Sequence, residues 1–120
     1  MIYSSTVTSV GALVSDFRDQ GLLVWFDESA PEELHEFSIL HKVDSHISAP
    51  VVGDTIAINS DHFTVLAIGS VAGENLLNLG HLDLKANGLT EAELPGDVNV
   101  ELRELPMIIV GDRLEIISNS

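Results

Sequence analysis

The stretch Asp97-Val98-Asn99-Val100-Glu101-Leu102 decides the fold class. Val98, Val100 and Leu102 point one way and Asn99 and Glu101 the other, the period-two pattern of a strand with one buried face. The same alternation runs through residues 81–86, where Leu82, Leu84 and Ala86 oppose His81, Asp83 and Lys85. Working outward, short runs rich in Val, Ile and Leu predict further strands at residues 2–11, 22–26, 36–42, 54–59, 62–68 and 113–117.

Turn chemistry separates these runs. Asn59-Ser60-Asp61 predicts a hairpin, Asn87-Gly88 supplies residues tolerant of positive φ, and Pro95-Gly96 suits the centre of a type II turn. Two helical pieces interrupt the strands. Residues 30–34 form a short turn that Ser29 could cap, with Pro31, Glu32 and Glu33 at its positive end. Residues 71–79 form a better helix, with Ser70 as N-cap, Ala72, Leu76 and Leu79 on one face, and Gly80 at the end. The expectation is an all-β fold, a mostly antiparallel barrel or sandwich with one or two short helices. At 120 residues without linker or repeat, a single domain over residues 1–120 is expected.

Composition narrows the function. The chain has 19 acidic residues against 5 basic ones, a formal charge of −14, which disfavours nucleic acid and anionic membranes and favours a partner with a basic contact surface. The absence of cysteine excludes disulfides, thiolate metal sites and cysteine nucleophiles. No signal-peptide pattern opens the chain and no run reaches the ~18 apolar residues of a membrane span, so a cytoplasmic location is expected.

Five histidines carry the remaining chemistry: His35, His41, His46, His62 and His81. His41 stands out. In a strand over residues 36–42 it shares a face with Phe37 and Ile39, and Val43 continues the row. A histidine in an apolar row is either buried and hydrogen-bonded or set at the mouth of an apolar pocket. The second setting suits a phosphoryl acceptor, because neutral imidazole is nucleophilic and its pKa of ~6.5 leaves it neutral near pH 7. Backbone N–H groups at Ser70, Val71, Ala72 and Gly73 would then hold the phosphoryl oxygens as a helix N-terminus does, and Gly73 would admit a partner's backbone. For Ser70 the plainer alternative is helix capping alone. His35, His41 and His46 lie six and five positions apart, which matches neither a helical nor a strand metal-ligand pair. His62, beside Asp61, reads as a surface turn residue, and no G-x-S-x-G elbow is present.

The stretch Ala67-Ile68-Gly69-Ser70-Val71-Ala72-Gly73-Glu74-Asn75-Leu76-Leu77-Asn78-Leu79-Gly80-His81 closely resembles the glucitol (sorbitol)-specific enzyme IIA component of the phosphoenolpyruvate-dependent sugar phosphotransferase system. Asn87-Gly88-Leu89-Thr90-Glu91-Ala92-Glu93-Leu94-Pro95-Gly96 continues the resemblance. Ala30-Pro31-Glu32-Glu33-Leu34-His35-Glu36-Phe37-Ser38-Ile39-Leu40-His41 is similar to the family's region before its active histidine. The resemblance implies a phosphotransferase component that accepts a phosphoryl group from the phosphocarrier HPr and passes it to a cysteine of the permease IIB domain, without cofactor or metal. It implies His41 as acceptor, with Nε2 as the attacking atom, and His81 as the second choice or an orienting partner. The other ring nitrogen would donate to an acceptor, most simply a backbone carbonyl. After His41 the segment Lys42-Val43-Asp44-Ser45-His46 departs from the family, so His46 takes no role from it. The rival class is an acidic β-barrel binding or regulatory module without covalent chemistry.

Overall fold

The computed structural model describes residues 1–119. Nine strands form one sheet: β1 Tyr3–Val10, β2 Leu22–Asp27, β3 Ile39–His46, β4 Thr55–Ile58, β5 Asp61–Thr64, β6 Ala67–Ile68, β7 Leu82–Lys85, β8 Asp97–Asn99 and β9 Arg113–Ile117. Their order is β5-β4-β9-β1-β3-β2-β7-β8-β6. All neighbours are antiparallel except β2–β3 and β7–β8.

This order forces the sheet to roll. β5 and β6 are its two edges, yet only Val65 and Leu66 separate them in the chain. Three steps of extended backbone span at most about 10 Å, so the edges must come together. The linker itself records the closure. Val65 N–H donates to the Asp54 carbonyl on one side, and Leu66 N–H to the Asn99 carbonyl on the other. The result is a curled half-barrel, in agreement with the all-β expectation. Its interior holds Trp25, Leu23, Ile39, Ile56, Phe63, Leu84, Val98 and Leu114, all at most 1% exposed.

Several boundaries differ from the sequence reading. The single strand expected over residues 62–68 is split into β5 and β6, because the chain crosses from one sheet edge to the other there. β3 begins only at Ile39, since Glu36 and Phe37 belong to a 3-10 helix, Glu32–Phe37. The N-cap of that helix is Pro31, and Ser29 instead bonds the Asp27 carboxylate. β8 stops at Asn99, and Leu102 is 79% exposed rather than inward. Asn99, expected outside, is fully buried because loop carbonyls of Leu89 and Glu91 accept from its side-chain amide. The turn at Pro95-Gly96 is closed by Asp97 N–H to the Leu94 carbonyl without positive φ at Gly96, so it is not type II. The Asn59 hairpin and the positive φ of Gly88 (70°) follow the reading.

Two helices complete the fold. α1, Val14–Asp19, was not foreseen; its six residues bury only Val14, too little for a periodic signal. It packs beside Gly11, where a Cβ would lie 2.2 Å from the carbonyl oxygens of His35 and Glu36. α2, Ala72–Leu79, sits on the predicted segment, burying Ala72 and Leu76. Leu79 is 54% exposed, contrary to the expected face. Gly80 ends α2 in the left-handed region, at φ 60°.

Candidate functional site

His41 lies in β3, next to β1 on one side and β2 on the other, and the ring is fully buried. Both ring nitrogens have partners. Nδ1 is 2.6 Å from the Ser5 hydroxyl of β1, and Nε2 is 2.7 Å from the Gly80 carbonyl. A carbonyl only accepts, so Nε2 carries the proton and donates to Gly80, while Ser5 Oγ–H donates to the lone pair on Nδ1. The other tautomer would set two lone pairs against each other at Gly80. Trp25 meets the ring edge-on, with centroids 5.5 Å apart, and Tyr3 lies at 6.3 Å. Burial pushes the His41 pKa below its ordinary value, although the Gly80 hydrogen bond and the Asp27 charge oppose this. The ring is therefore held neutral in one tautomer.

Gly80 occupies the crossing point. Its left-handed backbone turns the carbonyl toward His41, and a Cβ there would lie 2.8 Å from the Asp27 amide nitrogen. Asp27 pairs with His41 across the parallel β2–β3 ladder, and Glu28 N–H donates to the His41 carbonyl. Burial raises the Asp27 pKa, but hydrogen bonds from the Ser29 hydroxyl and amide bring it below the usual carboxylate value.

Outside Gly80 and Asp27 opens a groove of about 540 Å³. Phe26, Pro31, Leu34, Val43, Leu77 and Leu79 supply its apolar walls, and Asp27, Ser29 and His46 its polar groups. His81, next in the chain to Gly80, stacks on Phe26 at 4.2 Å and 9°, and its Nε2 is 3.0 Å from Asp83 Oδ1. The Gly80–His81 peptide is thus held from both sides, its carbonyl on His41 and its N–H on the Asn75 carbonyl at 3.3 Å.

The predicted phosphate-binding residues stand elsewhere. Gly80 and Ser70 bracket α2, whose eight residues rise about 12 Å. His41 meets the C-terminal end of α2, so the structure does not bring His41 and residues 70–73 together. Val71, not Ser70, is the N-cap, and no side chain caps the helix. The N–H groups of Val71 and Ala72 already donate to the carbonyls of Pro95 and Gly69. Gly73 packs on Ala49, whose Cβ lies 2.7 Å from where a Gly73 Cβ would be, so its missing side chain serves internal packing. His41 is itself covered rather than set in an open depression. The nitrogen facing a backbone carbonyl is Nε2, where the carbonyl was expected opposite the other nitrogen.

His35 donates from Nε2 to the Ala30 carbonyl, and among the described residues no group of His, Asp or Glu is placed to hold a metal ion. Ser5, Asp27 and the Gly80 carbonyl were missed. For Ser5 a signal existed: it shares an apolar row with Tyr3 and Val7, as His41 does with Ile39, and all three are buried.

Comparison with known proteins gives the family and the fold. The family described as PTS system glucitol/sorbitol-specific IIA component matches residues 2–115. The glucitol/sorbitol-specific EIIA components of Shigella flexneri and Escherichia coli strain K12 are each 38% identical over 100 residues, covering 83% of this chain and 81% of theirs. The crystal structure of a PTS system IIA component from Enterococcus faecalis V583 superposes with a TM-score of 0.82 over 96% of this chain and 99% of its own, at 21% identity, and so shares the fold. Among the described residues no helix is long and apolar enough to cross a membrane. Family match and sequence identity converge: the chain belongs to the glucitol/sorbitol-specific IIA components of the phosphotransferase system.

Proposed function

We propose that this chain carries a phosphoryl group on His41, taking it from phospho-HPr and handing it to the IIB domain of a glucitol/sorbitol permease. The observation that carries the reading is the setting of His41: a neutral imidazole, held by two directed hydrogen bonds, beneath the floor of an apolar groove. A neutral ring is the nucleophilic form. Apolar walls exclude the water that would compete for the phosphoryl group.

The ring is covered at rest, so acceptance requires the Gly80 carbonyl to leave Nε2. Glycine accommodates that change of ψ more readily than any other residue. Once it is uncovered and has lost its proton to water, with Nδ1 taking one up, Nε2 attacks in line. The Nε2–P bond forms as the donor's N–P bond breaks, and the electron pair stays with the donor nitrogen. Exposed Glu28, Glu32 and Glu33 flank the groove-lining Asp27 and Pro31, which suits a donor with basic residues around its phosphohistidine. Onward transfer to a IIB cysteine runs from the same nitrogen. The scheme uses no cofactor.

Full burial with both nitrogens paired also suits a structural histidine in an acidic binding module without covalent chemistry. Incubation with labelled phosphoenolpyruvate, enzyme I and HPr separates the two. The carrier takes up an acid-labile, base-stable label on His41, and His41→Ala abolishes it. No label on the protein, with HPr shown to be charged, overturns the carrier reading; label retained in folded His41→Ala moves the acceptor to another histidine, His81 first. Loss of two buried partners makes His41→Ala less stable by about 2–4 kcal/mol, measured by denaturant unfolding.

A further inference from the structure

We infer that Ser5 is a positioning residue for phosphoryl transfer, its hydroxyl changing from donor to acceptor at His41 Nδ1 as Nε2 becomes the nucleophile. The inference rests on the carrier reading above. Ser5 and His41 are both fully buried, and Ser5 Oγ is 2.6 Å from Nδ1. At rest the Gly80 carbonyl keeps the proton on Nε2, where no attack is possible. Attack by Nε2 needs the tautomer with the proton on Nδ1. In the closed interior that proton needs an acceptor, and an unpaired buried N–H is costly. A hydroxyl serves both states, because it donates to a lone pair or accepts from an N–H by rotating about one bond. A carbonyl or an amide N–H at this place would serve only one.

The steps balance. When the Gly80 carbonyl lifts, water reaches the ring. In that open state Nε2 gives one proton to water, Nδ1 takes one from water, the ring stays neutral, and Ser5 Oγ then accepts from Nδ1 as the interior closes again. Nε2 then takes the phosphoryl group from the donor nitrogen, whose N–P bond breaks and whose electron pair stays behind. The product ring carries the phosphoryl group on Nε2 and a proton on Nδ1 that faces Ser5 Oγ. That proton keeps the phosphoramidate bond labile for onward transfer.

The test uses the full chain with phospho-HPr. Ser5→Ala should lower the maximal rate of acceptance about tenfold, the value of one buried hydrogen bond in the transition state. The HPr concentration at half-maximal rate should stay unchanged, since Ser5 lies behind the ring and not in the groove. Ser5→Thr, which restores a hydroxyl, should recover most of the rate. Nitrogen-15 spectra of the unmodified protein give a second, variant-free reading: a proton on Nε2 before phosphorylation, and phosphorus on Nε2 with a proton on Nδ1 after it. An unchanged maximal rate in Ser5→Ala, or phosphorus on Nδ1 of His41, overturns the role of Ser5 and leaves the carrier reading standing. Label on a histidine other than His41, or none, overturns the carrier reading itself and the role of Ser5 with it.

Discussion

The sequence sets a phosphate site at the N-terminal end of α2 and only a helix stop at its C-terminal end, and in the structure the two ends are built for different tasks. The N-terminal end, at Ser70 to Gly73, has the free N–H groups of any helix start in principle. In this fold the amides of Val71 and Ala72 are satisfied by Pro95 and Gly69, and Gly73 is pressed onto Ala49. The C-terminal end has a left-handed glycine whose carbonyl is turned inward onto His41. At one end two amides and a glycine serve the scaffold, and at the other a glycine carbonyl serves the candidate site. A helix terminus is thus a resource whose use depends on what the rest of the chain brings to it.

The sharpest way to break this comparison is Gly80→Ala. The substitution places a Cβ 2.8 Å from the Asp27 backbone and forces a non-glycine residue to φ 60°. We expect a loss of about 2–3 kcal/mol in denaturant unfolding and a clear drop in phosphoryl acceptance. Wild-type stability with wild-type acceptance would show that the C-terminal end is not special.

A smaller effect comes through pH. The folded His41 pKa lies below its unfolded value of ~6.5 because of burial. Below that pH the unfolded chain binds a proton that the folded chain refuses. The contribution of the neutral ring is therefore fully present above ~6.5 and is lost as pH falls toward the folded pKa, by at most about 1.4 kcal/mol per unit. Denaturant midpoints for wild type and His41→Gln between pH 7 and 5 check this; equal slopes would remove the buried ring as the cause.

The smallest effect is expected at the other end of the helix. Ser70 is exposed and makes no cap bond, so Ser70→Ala should change stability by less than about 0.5 kcal/mol and leave phosphoryl acceptance unaltered. A tenfold loss of acceptance would return the phosphate-binding role to the N-terminal end.

Much of this protein was legible in its sequence because the relevant signals are local. Alternation in residues 81–86, the hairpin at Asn59, the glycine that ends α2 and the blocks shared with the glucitol/sorbitol IIA family need only neighbouring residues to be read. His41 was marked by its place in an apolar row beside Ile39. What the row could not say is what faces the ring. Its partners, Ser5 and Gly80, are 36 and 39 residues away. Only strand pairing and the docking of α2 bring them together, and with them come the covered nitrogen, the proton on Nε2 and the site at the C-terminal end of the helix. Leu102 and Asn99 show the limit of the local signal: alternation predicts an inward Leu102 and an outward Asn99, but β8 stops at Asn99, Leu102 is exposed, and the carbonyls of Leu89 and Glu91 hold the Asn99 amide inside. By itself the sequence determined the all-β class, the family and which histidine to propose. The tertiary structure alone decided which atoms touch that histidine, because hydrogen-bond partners across a rolled sheet are set by register and closure, and neither leaves a local trace.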